Sequence, residues 1–178
     1  YLHSKGIVHR DLKLENVLFK TKHADARVKI IDFGLSKHFK AGETHDEYVG
    51  SLYTMAPEVI WRNYDERCDV WSLGVIAFIL LSGEAPFGGC YGEKDQRPVI
   101  ARISHGYYRF EPKEVWASIS REAKEFVCTL LKVDRRPTVE QAMSLPWMQN
   151  RVDEETRNEA SSSRAIEVLP EWGARAPA

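Results

Sequence analysis

Two short stretches carry residue types that can do chemistry together. Residues 6–19 read GIVHRDLKLENVLF, with Arg10, Asp11, Lys13, Glu15 and Asn16 crowded between apolar flanks. Residues 28–37 read VKIIDFGLSK, where Asp32 follows an apolar run and Gly34 lets the backbone bend behind it. A neutral amide oxygen and a carboxylate are hard ligands of the kind Mg²⁺ takes. A carboxylate that orients a hydroxyl, beside a cation that balances charge on a moving phosphoryl group, suits phosphoryl transfer from ATP. Asp11, Lys13, Asn16 and Asp32 supply that set. Asp11 and Asn16 alone read more readily as loop-capping residues; Lys13 and Asp32 tip the balance toward chemistry.

The elements that must position these groups are short at first and helical afterwards. Val17–Phe19 and Val28–Ile31 are β-prone runs around the polar turn KTKHADAR, which predicts a hairpin. Residues 35–55 lack periodicity and read as a long loop, of the length that is usually functional or disordered. From Cys68 to Ser82 the pattern is helical and apolar on nearly all sides, which predicts a central buried helix ended by Gly83, with Trp71, Phe78 and Leu80 in the core. GEAPFGGCYGEKDQRP reads as a loop before a helix from about Val99 to His105. Ser120 caps a further helix whose Ala123, Phe126, Val127, Leu130 and Leu131 share one face. Thr138 and Gln141 form a capping box for a short last helix ending near Leu145. Beyond Asn150 the chain turns polar, and residues 151–178, with serines at 161–163, read as a flexible soluble tail.

Composition narrows the class. The 178 residues are 43% hydrophobic and 29% charged, the balance of an ordinary globular domain with enough chain for a core. A formal net charge of −1 gives no reason to expect nucleic acid or an anionic membrane as partner. The longest apolar run, Leu73 to Leu81, is half of the roughly 20 residues a membrane span needs. Cys68, Cys90 and Cys128 are widely spaced, odd in number and without a CxxC pattern, which favours a reducing compartment over disulfides or a zinc site. The expected location is the cytoplasm, with the nucleus open.

HRDLKLEN, DFG, MAPE and DVWSLGVI stand here in the order and approximate spacing of the eukaryotic protein-kinase signature, and residues 1–150 resemble the C-terminal lobe of that domain. The resemblance implies a mainly α fold with a short β-hairpin at the catalytic loop. By the same resemblance, Asp11 is the catalytic base and Lys13 the cation beside the transferred phosphoryl, the latter typical of Ser/Thr kinases. Lys13, Glu15, Asn16, Leu18 and Asp32 fall on the ATP side of the site, with Asn16 and Asp32 as Mg²⁺ ligands and Leu18 as the floor under adenine. Glu15 also matches a residue that, in several basophilic kinases, contacts a basic side chain upstream of the acceptor. His9 and Phe33 match an internal hydrophobic stack, Asp69 the residue that holds the catalytic-loop backbone, and Glu58 and Arg136 a buried ion pair. Ser51 matches a residue that hydrogen-bonds the catalytic Asp and Lys. Thr44, Tyr48 and Ser51 are also hydroxyls of an exposed loop, open to phosphorylation.

Within the family, YVGSLYTMAPEVI and DERCDVWSLGVIAFILLSGEAPFGG are most similar to the calcium- and calmodulin-regulated group, particularly calcium-dependent kinases. That group often carries an acidic pair in the loop where other kinases are phosphorylated. Asp46 and Glu47 stand there, and both are expected to pair with Arg10. Leu52 replaces the usual Pro and Thr54 the usual Tyr, and the VDRRPT stretch is short, with Arg136 aligned from its C-terminal side. No EF-hand pattern follows the domain, and the tail is not a basic amphipathic helix, so calmodulin or EF-hand regulation enters by analogy only.

The chain opens at Tyr1, and YLHSKG reads as the end of a helix. Nothing matches a Gly-rich loop, a strand lysine or its helix glutamate. A fragment lacking the N-terminal lobe is therefore expected, inactive alone and with an apolar face uncovered. Two readings stand open: part of an ATP- and Mg²⁺-dependent Ser/Thr kinase acting on proteins, or a truncated, non-catalytic kinase-like binding protein. Intact Asp11, Lys13, Asn16 and Asp32 favour the first.

Overall fold

The computed structural model describes residues 1–23, 26–40, 42–90 and 94–149. The tail expected at 151–178 lies outside the described residues, as do parts of the turn at 24–25 and the loop at 91–93. The described residues are helix-rich, with two small sheets among them. Strands β1 (Ile7–Val8), β2 (Val17–Phe19), β3 (Val28–Ile30) and β4 (Lys37–His38) precede helices α1 (Pro57–Ile60), α2 (Arg67–Ser82), α3 (Arg97–His105), α4 (Lys113–Ala117), α5 (Arg121–Leu130), α6 (Val139–Met143) and α7 (Pro146–Gln149).

The expected hairpin is β2–β3, antiparallel, with Val17 opposite Ile30 and Phe19 opposite Val28. The stretch 35–55 is less irregular than its composition suggests. Lys37 and His38 pair with Val8 and Ile7, and Leu52–Thr54 form a 3₁₀ turn. Two-residue strands joined across some thirty residues of chain leave no periodic trace. Helices α1, α4 and α7 were not expected either. They are four or five residues long, too short for a helical stripe, and each starts at or directly after a proline.

α2 runs through the centre, its Trp71 stacked on Phe87 at 5.2 Å and its Phe78 at 4.7 Å from the ring of Trp116. α5 crosses it at Gly74, where an added Cβ would lie 2.8 Å from Leu130 Cβ, so only glycine allows the approach. Both expected caps form: Ser120 Oγ accepts from the Ala123 amide, and Thr138 and Gln141 bond reciprocally. Leu80 corrects the sequence reading. It is 40% exposed rather than core, because a helix apolar all round does not reveal which face its neighbours cover. That face opens on a groove of about 310 Å³ between Leu73, Ile76, Leu80, Phe126, Trp147 and Met148. The hairpin likewise exposes Phe19, Val28, Ile30 and Ile31.

Candidate active site

The loop between β1 and β2 is held from below by one carboxylate. Asp69, buried in the first turn of α2, accepts the backbone N–H of His9 and of Arg10, each at 2.8 Å, and meets His3 Nε2 at 2.9 Å. Arg10 takes a φ of 71°, a left-handed conformation that a non-glycine residue adopts only when its surroundings impose it. Two amides pointed at the same buried carboxylate are such surroundings, because either would otherwise lose a partner away from water.

Asp11 follows that turn, buried, and its two oxygens are committed differently. Oδ1 accepts the Ser51 N–H at 2.8 Å; Oδ2 lies 2.9 Å from Lys13 Nζ. Lys13 Nζ also donates to Ser51 Oγ at 2.9 Å, so Asp11, Lys13 and Ser51 close a small ring across two loops. The second loop comes this near because Gly50, at φ 104°, passes against Arg10: a Cβ there would fall 2.5 Å from the Arg10 carbonyl oxygen. Asn16 Nδ2 donates to the Asp11 carbonyl at 2.9 Å, which assigns the amide's orientation and leaves its oxygen as the free acceptor.

Asp32 arrives from β3. The Ile31 N–H donates to the Asn16 carbonyl at 2.9 Å, extending the hairpin register so that Ile31 faces Asn16 and Asp32 follows one residue beyond. Asp32 is exposed, has φ 61°, and accepts the Gly34 N–H at 3.2 Å through Oδ1. Its Oδ2 and the Asn16 oxygen are two hard donors on adjoining strand ends, a set that suits Mg²⁺ completing its shell with phosphate and water. Among the described residues no cluster of three or more His, Cys, Asp or Glu side chains could hold a metal unaided. Leu18 turns a half-exposed apolar surface outward from β2, suited to a purine face. His9 is fully buried, its ring edge-to-face with Phe33 at 5.1 Å and its Nε2 at 3.2 Å from the Ile31 carbonyl, while Phe33 itself is 46% exposed rather than internal.

Of the acidic pair, one member reaches Arg10 and the other does not. Glu47 Oε2 accepts from Arg10 Nη1 at 3.2 Å, while Arg10 also donates to Tyr64 Oη at 3.1 Å and to the Leu35 carbonyl at 2.6 Å. Lys37 Nζ, which sequence reasoning missed, donates to Glu47 Oε1 at 2.5 Å. The Lys37 hydrogen bond first, with the Arg10 charge behind it, holds the Glu47 carboxyl down at about 2. Asp46 is exposed and makes no ion pair among the described residues, because neighbouring residues of an irregular segment turn to different sides. Glu58 and Arg136 do meet, in a two-pronged pair whose second contact, Nη2 to Oε2, is 3.0 Å. A further contact carried no sequence signal: the Tyr53 hydroxyl donates to Glu15 Oε2 at 2.5 Å.

The sequence that carries this site has relatives among known proteins. The family model described as protein kinase domain matches residues 1–148, and the chain belongs to that family. It resembles calcium-dependent protein kinase 9 of Oryza sativa subsp. japonica, 48% identical over 148 residues, covering 82% of this chain and 25% of that protein. Calcium-dependent protein kinase 13 of Arabidopsis thaliana is 47% identical over 150 residues, covering 83% and 28%. A CDPK-related protein kinase of Daucus carota is 43% identical over 155 residues, covering 86% and 25%. The chain thus spans about a quarter of the length of the curated relatives it matches.

Proposed function

We propose that residues 1–150 form the C-terminal, catalytic-loop-bearing part of a Ser/Thr protein kinase that moves the γ-phosphoryl of ATP to hydroxyls on protein substrates. The observation that carries this reading is the ring of Asp11, Lys13 and Ser51. Asp11 orients the incoming hydroxyl and takes its proton at Oδ2, while Oδ1, bound to the Ser51 N–H, fixes the carboxylate plane. Lys13 puts a positive charge beside the same oxygen. Bound Mg²⁺ and ATP supply the phosphoryl group and the charge neutralisation of its oxygens; Asn16 and Asp32 would hold the ion, and Leu18 would carry the base. Glu15 contributes to recognition of a basic residue upstream of the acceptor.

Glu47 stands in for a loop phosphate: its carboxylate already draws Arg10, Lys37 and the loop together without modification. The names of the relatives extend calcium control to the parent protein by analogy, and cytoplasm, with the nucleus open, remains the proposed location. Asp11→Asn tests the core of the reading, in the full-length protein that contains this chain. Transfer to a Ser-containing peptide should fall by at least about 10²-fold. Activity within a factor of about two of the parent would overturn the assignment.

A further inference from the structure

Two side-chain contacts run in parallel between the catalytic loop and the loop after Gly50. Lys13 meets Ser51, and two residues further along each strand of the seam Glu15 meets Tyr53. The first contact belongs to the chemistry proposed above. The second lies beyond Lys13, on a carboxylate that is exposed where Asp11 is buried.

Tyr53 is built to hold something still. It is 6% exposed, and its Cα and Cβ pack where the chain turns at Gly89, within 3.5 Å of the place a Cβ would occupy there. A buried ring with two torsions has little freedom to lose, whereas an exposed glutamate has much. Burial, and then the bond to Glu15, pushes the Tyr53 hydroxyl's pKa upward, so it remains a donor throughout the neutral range. The bond occupies Glu15 Oε2. Among the described residues no cation pairs with Glu15, and its other oxygen has no hydrogen-bond partner. A carboxylate fixed on one side and open on the other is pre-organised for a cation from outside.

We propose that Tyr53 is a positioning residue for substrate selection: its hydroxyl fixes Glu15 so that the open carboxylate oxygen receives the guanidinium or ammonium of a basic residue in the protein substrate. This rests on the reading of the chain as part of a protein kinase and on Glu15 as a substrate contact. Without the phenol, Glu15 keeps its charge but must be ordered by the substrate itself. The loss therefore falls on binding of basic peptides and spares the comparison peptide that lacks the charge.

The test uses the full-length kinase and serine peptides in which a single Arg is moved through the residues before the serine, each matched to its Ala version. Steady-state transfer and fluorescence anisotropy are measured on the same peptides. Tyr53→Phe should reduce the Arg-over-Ala preference about two- to tenfold, the range of one hydrogen bond, through KM rather than kcat. Glu15→Asp, which retains the charge but draws it away from the phenol, should lose a similar share, and it guards against a poorly folded Tyr53 variant. An Arg-over-Ala ratio equal to the parent's in both variants would overturn the proposal, as would a parent with no preference for Arg. An equal fall in kcat for Arg and Ala peptides would also overturn it, since that is the mark of a merely structural role. Should the parent transfer phosphate to neither peptide, the kinase reading falls, and the anisotropy ratio still decides the role of Tyr53.

Discussion

Glu58→Gln removes one charge from a pair whose other member has nowhere to go. Arg136 is 3% exposed at its side chain and Glu58 17%. Besides Glu58, the guanidinium donates to the Arg67 carbonyl at 2.9 Å and the Lys132 carbonyl at 3.0 Å, and its Cζ lies 4.8 Å from the ring centre of Trp71. These contacts survive the substitution and soften it, but none supplies a negative charge. Breaking a buried pair from one side costs about 3–5 kcal/mol, and the surviving carbonyls and ring put this case near the lower end, about 3 kcal/mol. For a chain of this size that is a fall of roughly 6–12 °C in Tm. Urea unfolding followed by tryptophan fluorescence reads it, since Trp71 lies against the pair. The double variant Glu58→Gln/Arg136→Met removes both charges, and should be less destabilised than the sum of the single variants by about 1 kcal/mol or more. A cost below about 1 kcal/mol for Glu58→Gln, or strict additivity, would refute the reasoning, because either would mean the pair is worth no more than an exposed one.

The tie between Glu47 and Arg10 should persist on acidification. A carboxyl held at about 2 against an ordinary 4.5 stabilises the loop fully above 4.5 and loses that contribution only as pH falls toward 2. Limited proteolysis within residues 36–48 should therefore proceed alike at pH 8 and pH 5 once corrected for protease activity, and faster in Glu47→Gln but not in Asp46→Asn. Loosening between pH 8 and pH 5 would argue against Glu47 as the anchor. Gly74→Ala should destabilise by about 1–2 kcal/mol despite alanine's better helix propensity, because the new methyl meets the Cβ of Leu130 at 2.8 Å and that atom cannot swing aside. A neutral or stabilising result in urea unfolding would mean α5 can slide on α2.

What could be read from the sequence divides along physical lines. Asp11, Lys13, Asn16 and Asp32 stand out as candidates because their residue types suit the chemistry, and the hairpin, α2, the Ser120 cap and the Thr138 capping box were legible because their signals are local. The pairing of β1 with β4, the choice of Glu47 over Asp46, the exposure of Leu80 and the bond from Tyr53 to Glu15 were not, because each depends on which of several neighbours comes close in space. Arg10 and Asp32 mark the boundary. Both have φ above 60°, a left-handed region that aspartate tolerates better than most residues but that local preference does not assign to arginine, at a cost of about 1–3 kcal/mol. Arg10 is held there by Asp69 on its amide and by Leu35, Glu47 and Tyr64 on its side chain; Asp32 is flanked by the Ile31–Asn16 bond and by the Gly34 amide. Local preference is thus overruled at Arg10 by groups from elements far apart in the chain, whereas Asp32 is held in part by the Gly34 amide two residues away. A loop that is strained when isolated and satisfied only by the assembled scaffold keeps Asp11 and Asp32 in register only while Asp69 and the hairpin hold it. Loss of the buried Asp69 carboxylate should then disable the site before it unfolds the domain.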